Sequence, residues 1–315
     1  MNACGKAKRW AQALRLLNSM PALRILPDAA SYNTVINACQ RGGQWQVALS
    51  LASSMLELRV RPNEITYNSW ISACAKGGQW TTALFLLGEM VDLRVTPDLI
   101  SFNSAINACE KSGEWQAAVG LLLSSMPGQS IVADQISCNA AISACSKGGQ
   151  WQLALSLLGK MPDMRLKANL ISCSAAISAC EKGGQWQLSL SLLQLMPEIQ
   201  ILPNEISYNA AISSCEKDAQ WQLALALLCL MPDMAIAPGQ ISYNAAISAC
   251  AQGGQWQLAL SLLSRMHALS VTPDVISYNA AISASEKDGL WHVSLGLLGE
   301  MLEVTLVPDV ISYNA

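Results

Sequence analysis

Residues 241–263 read ISYNAAISACAQGGQWQLALSLL, and residues 171–193 read ISCSAAISACEKGGQWQLSLSLL. Two stretches this alike make period, rather than composition, the first thing to measure. Tryptophan measures it: Trp45, Trp80, Trp115, Trp151, Trp186, Trp221, Trp256 and Trp291 follow Trp10 in steps of 35 residues, with one step of 36. Self-similarity at a fixed interval marks a repeat array, in which each unit buries its apolar face against its neighbours. Eight complete units run over 29–63, 64–98, 99–134, 135–169, 170–204, 205–239, 240–274 and 275–309. Residues 1–28 are a unit without its beginning, and 310–315 start a further one. One elongated array therefore replaces the two globular domains that 315 residues would otherwise suggest.

Within a unit the period is helical. Tyr243, Ala246, Ile247 and Cys250, then Trp256, Ala259, Leu260, Leu263 and Met266, form two i, i+3, i+4, i+7 stripes. Gly253-Gly254 separates them, as Gly42-Gly43 and Gly183-Gly184 do elsewhere, because glycine takes the backbone conformations that a tight reversal needs. After the second stripe comes VTPD (271–274) or VRPN (60–63), where Pro stops one helix and Asp or Asn caps the next. Each unit is an α-hairpin, and the fold class is an all-α solenoid of stacked hairpins.

Several function classes are set aside. Residues 234–264 carry no charge, but Pro238, Gly253-Gly254 and four Gln argue against a membrane span. No signal peptide opens the chain, and Met1 falls where Ile36 stands in the next unit, so the start is expected to be truncated and a targeting segment lost with it. Cys4, Cys39, Cys74, Cys109, Cys145, Cys180, Cys215 and Cys250 hold one place per unit, with Ser285 in the last. Stacked hairpins keep such places about 9 to 10 Å apart, too far for disulfides, so these are packing residues. The tryptophans, on the leucine stripe, are expected to be core. His267 and His292 are isolated, and neither a metal-binding spacing nor a phosphate loop is present, so no catalytic residue, metal, cofactor or small-molecule substrate is expected. The net charge of −3 and pI near 5.4 exclude a general polyanion binder and require any nucleic-acid role to be local in its charge.

A 35-residue hairpin with SYN or TYN near its start, Gly before its second helix, an Ala-Leu pair and a Met within that helix, and PD or PN at its close resembles the pentatricopeptide repeat family over the whole chain. Tetratricopeptide repeats differ in period and in the placement of Trp, Gly, Tyr and Pro. The resemblance implies a right-handed superhelix whose first helices line a concave groove, each unit contacting one nucleotide of single-stranded RNA. It also implies that two residues select the base: the one after the Tyr, and the one that closes the unit.

By the family's rule Asn33 with Asn63 favours C, and Asn68 with Asp98 favours U. Asn103 with Asp134 reads U, although the extra residue of that unit, and Ala133 where others have Pro, leave open which residue closes it. Asn139 with Asn169 reads C, and Ser174 with Asn204 reads A. Asn209 with Gly239 departs from the rule and reads an unspecified pyrimidine. Asn244 with Asp274 and Asn279 with Asp309 both read U. With the N-terminal unit on the 5′ side, the expected site is near 5′-CUUCAYUU-3′. Chemically, an amide carries both donor and acceptor for a pyrimidine edge, while a shorter hydroxyl leaves room for a purine. The closing residues are equally ordinary helix N-caps.

The second residue of each unit, implied to pack against the base, is Ile65, Ile100, Ile136, Ile171, Ile206, Ile241 or Ile276, with Ala30 in the first complete unit; inter-repeat packing is the alternative. Before each turn stands one cation, Lys6, Arg41, Lys76, Lys111, Lys147, Lys182, Lys217 and Lys287, with Gln252 the exception. Such a ladder suits phosphates spaced one per unit, or else helix C-termini. Glu110, Glu181, Glu216 and Glu286 precede four of these lysines and weaken their field. A competing class is a scaffold binding a protein or peptide in the groove. The resemblance also implies work on transcripts in a chloroplast or mitochondrion, in processing, stability, editing or translation.

Overall fold

The computed structural model describes residues 9–21, 25–58, 60–287 and 289–314, so Cys4 and Lys6 lie outside the described residues. Among these residues the regular structure is helical, with no strand. The first helices of the units are Ala29–Arg41, Glu64–Lys76, Leu99–Ser112, Gln135–Lys147, Leu170–Lys182, Glu205–Glu216, Gln240–Gln252 and Val275–Glu286. Second helices open at the tryptophan, as in Trp45–Glu57, Trp80–Asp92 and Trp256–Ala268. No described helix is long and apolar enough to cross a membrane.

The 36-residue unit absorbs its extra residue inside its second helix. Trp115–Gly120 runs into a π turn, Leu121–Ser125, before the α-helix resumes at Met126–Gly128. A π turn holds one residue more than an α turn, so the close of the unit keeps its register, and Asp134 caps the following helix.

The chain divides into two compact halves, residues 1–167 and 168–315. Within each half a first helix packs on its own second helix and on the first helix of the next unit. The buried set is the one that the stripes define. Ile247, Cys250, Ala259 and Met266 are fully buried, as are Cys39, Cys74, Cys109, Cys145, Cys180 and Cys215. Ser285, in the cysteine place, is satisfied by the Ile282 carbonyl at 2.8 Å and by Ser294 at 2.9 Å. Burial pushes the Cys74 and Cys109 thiols up to about 11, which leaves them protonated and inert at neutral pH.

The paired glycines have different jobs. The second of each pair takes the left-handed region, with φ +72° at Gly43 and +69° at Gly149. It closes a Schellman turn in which Gln44 N–H reaches the Cys39 carbonyl at 2.9 Å. The first has an ordinary φ, −82° at Gly42 and −81° at Gly148. What it provides is space: a Cβ at Gly42 would stand 2.7 Å from Trp10 Cδ1, and one at Gly77, Gly148 or Gly253 would collide with Trp45, Trp115 or Trp221.

Each of these tryptophans therefore lies across the turn of the following unit. The expected packing role holds at the edge of the core rather than inside it: Trp45 through Trp256 in this series are partly buried, Trp186, Trp221 and Trp256 against the core itself, and Trp291 alone is 71% exposed. An indole on the leucine stripe but at the helix start sits at the rim, where the neighbour's glycine admits it.

Two outcomes follow. Gly77→Ala should destabilise the fold by an overpacking cost of about 1–3 kcal/mol, seen as a lower thermal midpoint, and in a Trp45→Ala background that cost should largely vanish; an equal cost in both backgrounds would detach the glycine from the indole. Of the ten described cysteines, Cys229, which is exposed, should label rapidly with a maleimide while the buried ones label only on unfolding, as mass spectrometry of the modified peptides would read.

Candidate nucleic-acid interface

Local chemistry at the start of each first helix builds the site. Asp28, Asn63, Asp98, Asp134, Asn169, Asn204 and Asp274 are N-caps with extended backbone whose side chains accept the amide N–H three residues on. In most units the residue at that third position returns the bond, Thr66 to Asn63, Ser101 to Asp98 and Ser277 to Asp274, completing a capping box. Gly239, with no side chain, still receives the return bond, its N–H donating to Ser242 Oγ at 3.2 Å.

The residue after the Tyr then joins this cap from the preceding unit. Asn68 Nδ2 donates to Asp98 Oδ1, Asn244 Nδ2 to Asp274 Oδ1 and Asn279 Nδ2 to Asp309 Oδ1, each at 3.1 Å, and Asn33 Nδ2 to Asn63 Oδ1 at 3.3 Å. The opposite end of the amide is held too. Ser101 Oγ donates to Asn68 Oδ1 at 2.5 Å, Ser277 Oγ to Asn244 Oδ1 at 2.5 Å and Thr66 Oγ1 to Asn33 Oδ1 at 2.7 Å. Sequence reasoning missed this serine, fully buried at Ser101, Ser137, Ser172, Ser207, Ser242 and Ser277. The signal was the D-x-x-S or N-x-x-S spacing, which is the capping-box spacing.

The two residues expected to select a base are thus brought together in the units of Asn33, Asn68, Asn103, Asn244 and Asn279. Asn103 Nδ2 spans both oxygens of Asp134, at 3.1 and 3.2 Å, and its own buried Oδ1 has no partner. Ser174 behaves differently. Its hydroxyl meets the Leu170 carbonyl at 2.7 Å and Ser207 Oγ at 2.9 Å, with no bond to Asn204 among the described contacts. Asn139 lies in the first half and Asn169 in the second.

Burial works to raise the Asp98 carboxyl, but bonds from Ser101 and from Asn68 Nδ2 outweigh it, so the group sits below its ordinary value. Asp134 is lowered in the same way, against burial, by Ser137 and Asn103. Both carboxylates stay ionised.

The isoleucines stand open. Ile65, Ile100, Ile136, Ile171, Ile206, Ile241 and Ile276 are between 61% and 64% exposed, which removes inter-repeat packing as their role. Around Asn103 they frame a cavity of about 330 Å³ with Ile100 and Ile136 on its wall, joined by Lys76, Lys111 and Ser104. Residues chosen for three separate reasons meet there.

The cations divide. All seven described cations of the ladder are exposed, and they differ in their partners. Lys147 Nζ pairs with Glu110 at 3.1 Å, and Ser143 donates to the same carboxylate at 2.9 Å. Lys217 Nζ donates to the Lys182 carbonyl at 2.8 Å, and Lys287 Nζ to the Gln252 carbonyl at 3.2 Å and Oε1 at 2.9 Å. Helix-end capping is therefore real for Lys217 and Lys287, though the end belongs to the preceding unit. Burial pushes the Glu181 carboxyl above its ordinary value despite Lys182 and Lys217. Among the described residues no group of three or more His, Cys, Asp or Glu could hold a metal.

Models of the PPR repeat family match residues 27–76, 62–111 and 238–285, of the pentatricopeptide repeat domain 156–218 and 262–315, and of the PPR repeat 1–25, 100–124, 136–166 and 206–236. No curated protein sequence matches the chain. Among solved structures it is similar to the pentatricopeptide repeat protein PPR10 from maize, at 20% identity and TM-score 0.59 over 99% of this chain and 49% of that one. PPR10 in complex with an 18-nt psaJ RNA element is similar at 18% identity and TM-score 0.52, over 99% of this chain and 56% of that one. The chain spans about half the length of these structures, and at such identities the likeness is one of fold.

Because the folded pKa values of Asp98 and Asp134 lie below the reference of 3.8, their contribution to stability is complete above that value and is lost as pH falls through the lower folded values. Asp98→Asn, which keeps a capping oxygen but no charge, should make the thermal midpoint less steeply pH-dependent below about pH 4. Circular dichroism melts from pH 7 downward measure this, and an unchanged acid limb would remove the carboxylate from the account.

Proposed function

The chain belongs to the pentatricopeptide repeat family, and we propose that it binds single-stranded RNA along its first helices, one nucleotide per unit. The observation that carries this reading is the cavity around Asn103, where a base-edge amide, the apolar walls Ile100 and Ile136, and the cations Lys76 and Lys111 meet. A nucleobase needs those three surfaces: polar groups for its edge, apolar contact for its faces and positive charge for its phosphate. The RNA-bound PPR10 structure, similar in fold, supports the same class of ligand. Transcript work in a chloroplast or mitochondrion, without catalysis by these repeats, is the role that family membership favours.

The hydrogen bonds of the closing residues support a rule for the bases. Where Asn Nδ2 donates to a closing Asp, the second carboxylate oxygen remains an acceptor, suited to the N3–H of uracil. Where the closing residue is Asn63, its Oδ1 is taken by Asn33, leaving an NH₂ suited to the N3 acceptor of cytosine. At Ser174 the shorter side chain turns to its own helix and to Ser207, which leaves space for adenine. The preferred site on this reading is near 5′-CUUCAYUU-3′.

Two measurements test it. Ser174→Asn should move the preference at the fifth nucleotide from A to C, with matched and swapped RNAs differing about tenfold in affinity, while other nucleotides keep their preference. An unmoved preference would make the variable letters caps alone and favour a protein- or peptide-binding scaffold. Changing Lys76 and Lys111 to Ala should weaken binding of every RNA and flatten the salt slope by roughly 1.4 units, since each phosphate contact on a single strand contributes about 0.7; an unchanged slope would take the lysines off the phosphate path.

A further inference from the structure

We propose that Glu205 supplies the carboxylate that Gly239 lacks, so that the unit of Asn209 selects uracil rather than either pyrimidine. This rests on the reading of the units as base readers and settles the one letter that the selecting pair leaves undefined. Glu205 is the first residue of that unit and Gly239 the last, yet the two meet. A Cβ built on Gly239 would lie 2.6 Å from Glu205 Oε1 and 3.7 Å from its Cδ. By standard bond lengths an aspartate holds its carboxylate oxygens roughly 2.4 Å from its own Cβ. An acidic oxygen therefore stands at the distance where a closing Asp would put one.

The reach is a property of the unit, not an accident at one turn. Gln135 Nε2 donates to the Lys167 carbonyl at 2.9 Å and Gln240 Nε2 to the Thr272 carbonyl at 3.1 Å, so first residues elsewhere also extend to the close of their own unit. In the unit of Asn68, Glu64 stands beside Asp98, and that proximity raises the Glu64 carboxyl. There the closing Asp is present and Glu64 is a second acid beside it. At Gly239 the space is vacant and Glu205 takes it.

Asn209 is oriented to use such an acceptor. Ser242 Oγ donates to Asn209 Oδ1 at 2.6 Å, as Ser101 does to Asn68 and Ser277 to Asn244. In those two units the amide, held by its oxygen, turns Nδ2 toward the closing carboxylate. The same hold at Asn209 leaves Nδ2 as the end of the amide that would meet the Glu205 carboxylate. A carboxylate only accepts, so it matches the N3–H of uracil and faces the lone pair of cytosine N3 unfavourably.

The test is fluorescence anisotropy of the whole chain with labelled RNAs that differ only at the sixth or only at the seventh nucleotide of 5′-CUUCAUUU-3′. The seventh is read by Asn244 with Asp274 and is the internal control. The parent should prefer U over C at the sixth nucleotide by about tenfold. Glu205→Gln should erase or invert that ratio while the ratio at the seventh stays. Glu205→Ala combined with Gly239→Asp should restore it. Glu205 is exposed, and circular dichroism of each variant verifies the fold. Equal binding of U and C by the parent at the sixth nucleotide, with U still preferred at the seventh, overturns the role of Glu205 alone, as does a U preference that survives Glu205→Gln. A parent without preference at any nucleotide overturns the base-reading function and this inference with it.

Discussion

A helical hairpin of this length leaves one apolar face that it cannot cover itself, and everything else in the structure follows from the need to set the next hairpin against it. The next first helix must start at a fixed point. That point is the N-cap, and the Asn of the preceding unit is hydrogen-bonded to it in the units of Asn33, Asn68, Asn244 and Asn279. A second tie lies at the far end of the hairpin, where the indole of one unit rests on the turn of the next. Between the two, burial of Ile, Cys, Leu and Met supplies the bulk of the association energy, about 1.5–3 kcal/mol for each fully buried large side chain.

The hairpin, the buried cysteines and the turn positions were legible because they follow from periodicity, and periodicity survives in a single sequence. What was not legible depends on distance between units. The first glycine of each pair reads like the second, yet its backbone is ordinary and its reason is Trp10, Trp45, Trp115 or Trp221 of the unit before. The tryptophans looked like core because their stripe position is right and only their height along the hairpin puts them at the rim. Left-handed residues without a glycine, such as Arg94, Arg165 and Gln200, end the second helices. They escaped notice because nothing in those side chains marks the conformation, which is imposed by the bond from Val95 N–H to the Met90 carbonyl and its equivalents.

At the candidate interface, the positions could be picked out of the sequence but their hydrogen-bond partners could not. Asn68 and Asp98 stand 30 residues apart in sequence but 3.1 Å apart in space, and Ser101 completes the group while looking like filler within SFN. The ladder of cations was visible as a count, but the count hid a division of labour. Lys217 and Lys287 cap carbonyls of the preceding unit, whereas Lys111 lines the cavity around Asn103.

The closing residue therefore answers to two demands at once, and this narrows what it can be. It must cap a helix, which favours Asn, Asp, Ser, Thr and Gly and costs about 1 kcal/mol for most others. On the reading proposed above it must also present a donor or an acceptor to a base. Asn and Asp satisfy both, and they differ in the one property that separates cytosine from uracil at N3. Gly satisfies only the first, at a cost of a few tenths of a kcal/mol, so stability alone would tolerate it anywhere in the array. Its single occurrence among the complete units, at Gly239, falls where Glu205 Oε1 comes within 2.6 Å of where a Cβ would stand, in a chain whose other unit beginning with Glu, at Glu64, closes with Asp98. A selecting group need not come from the selecting position; it need only reach it.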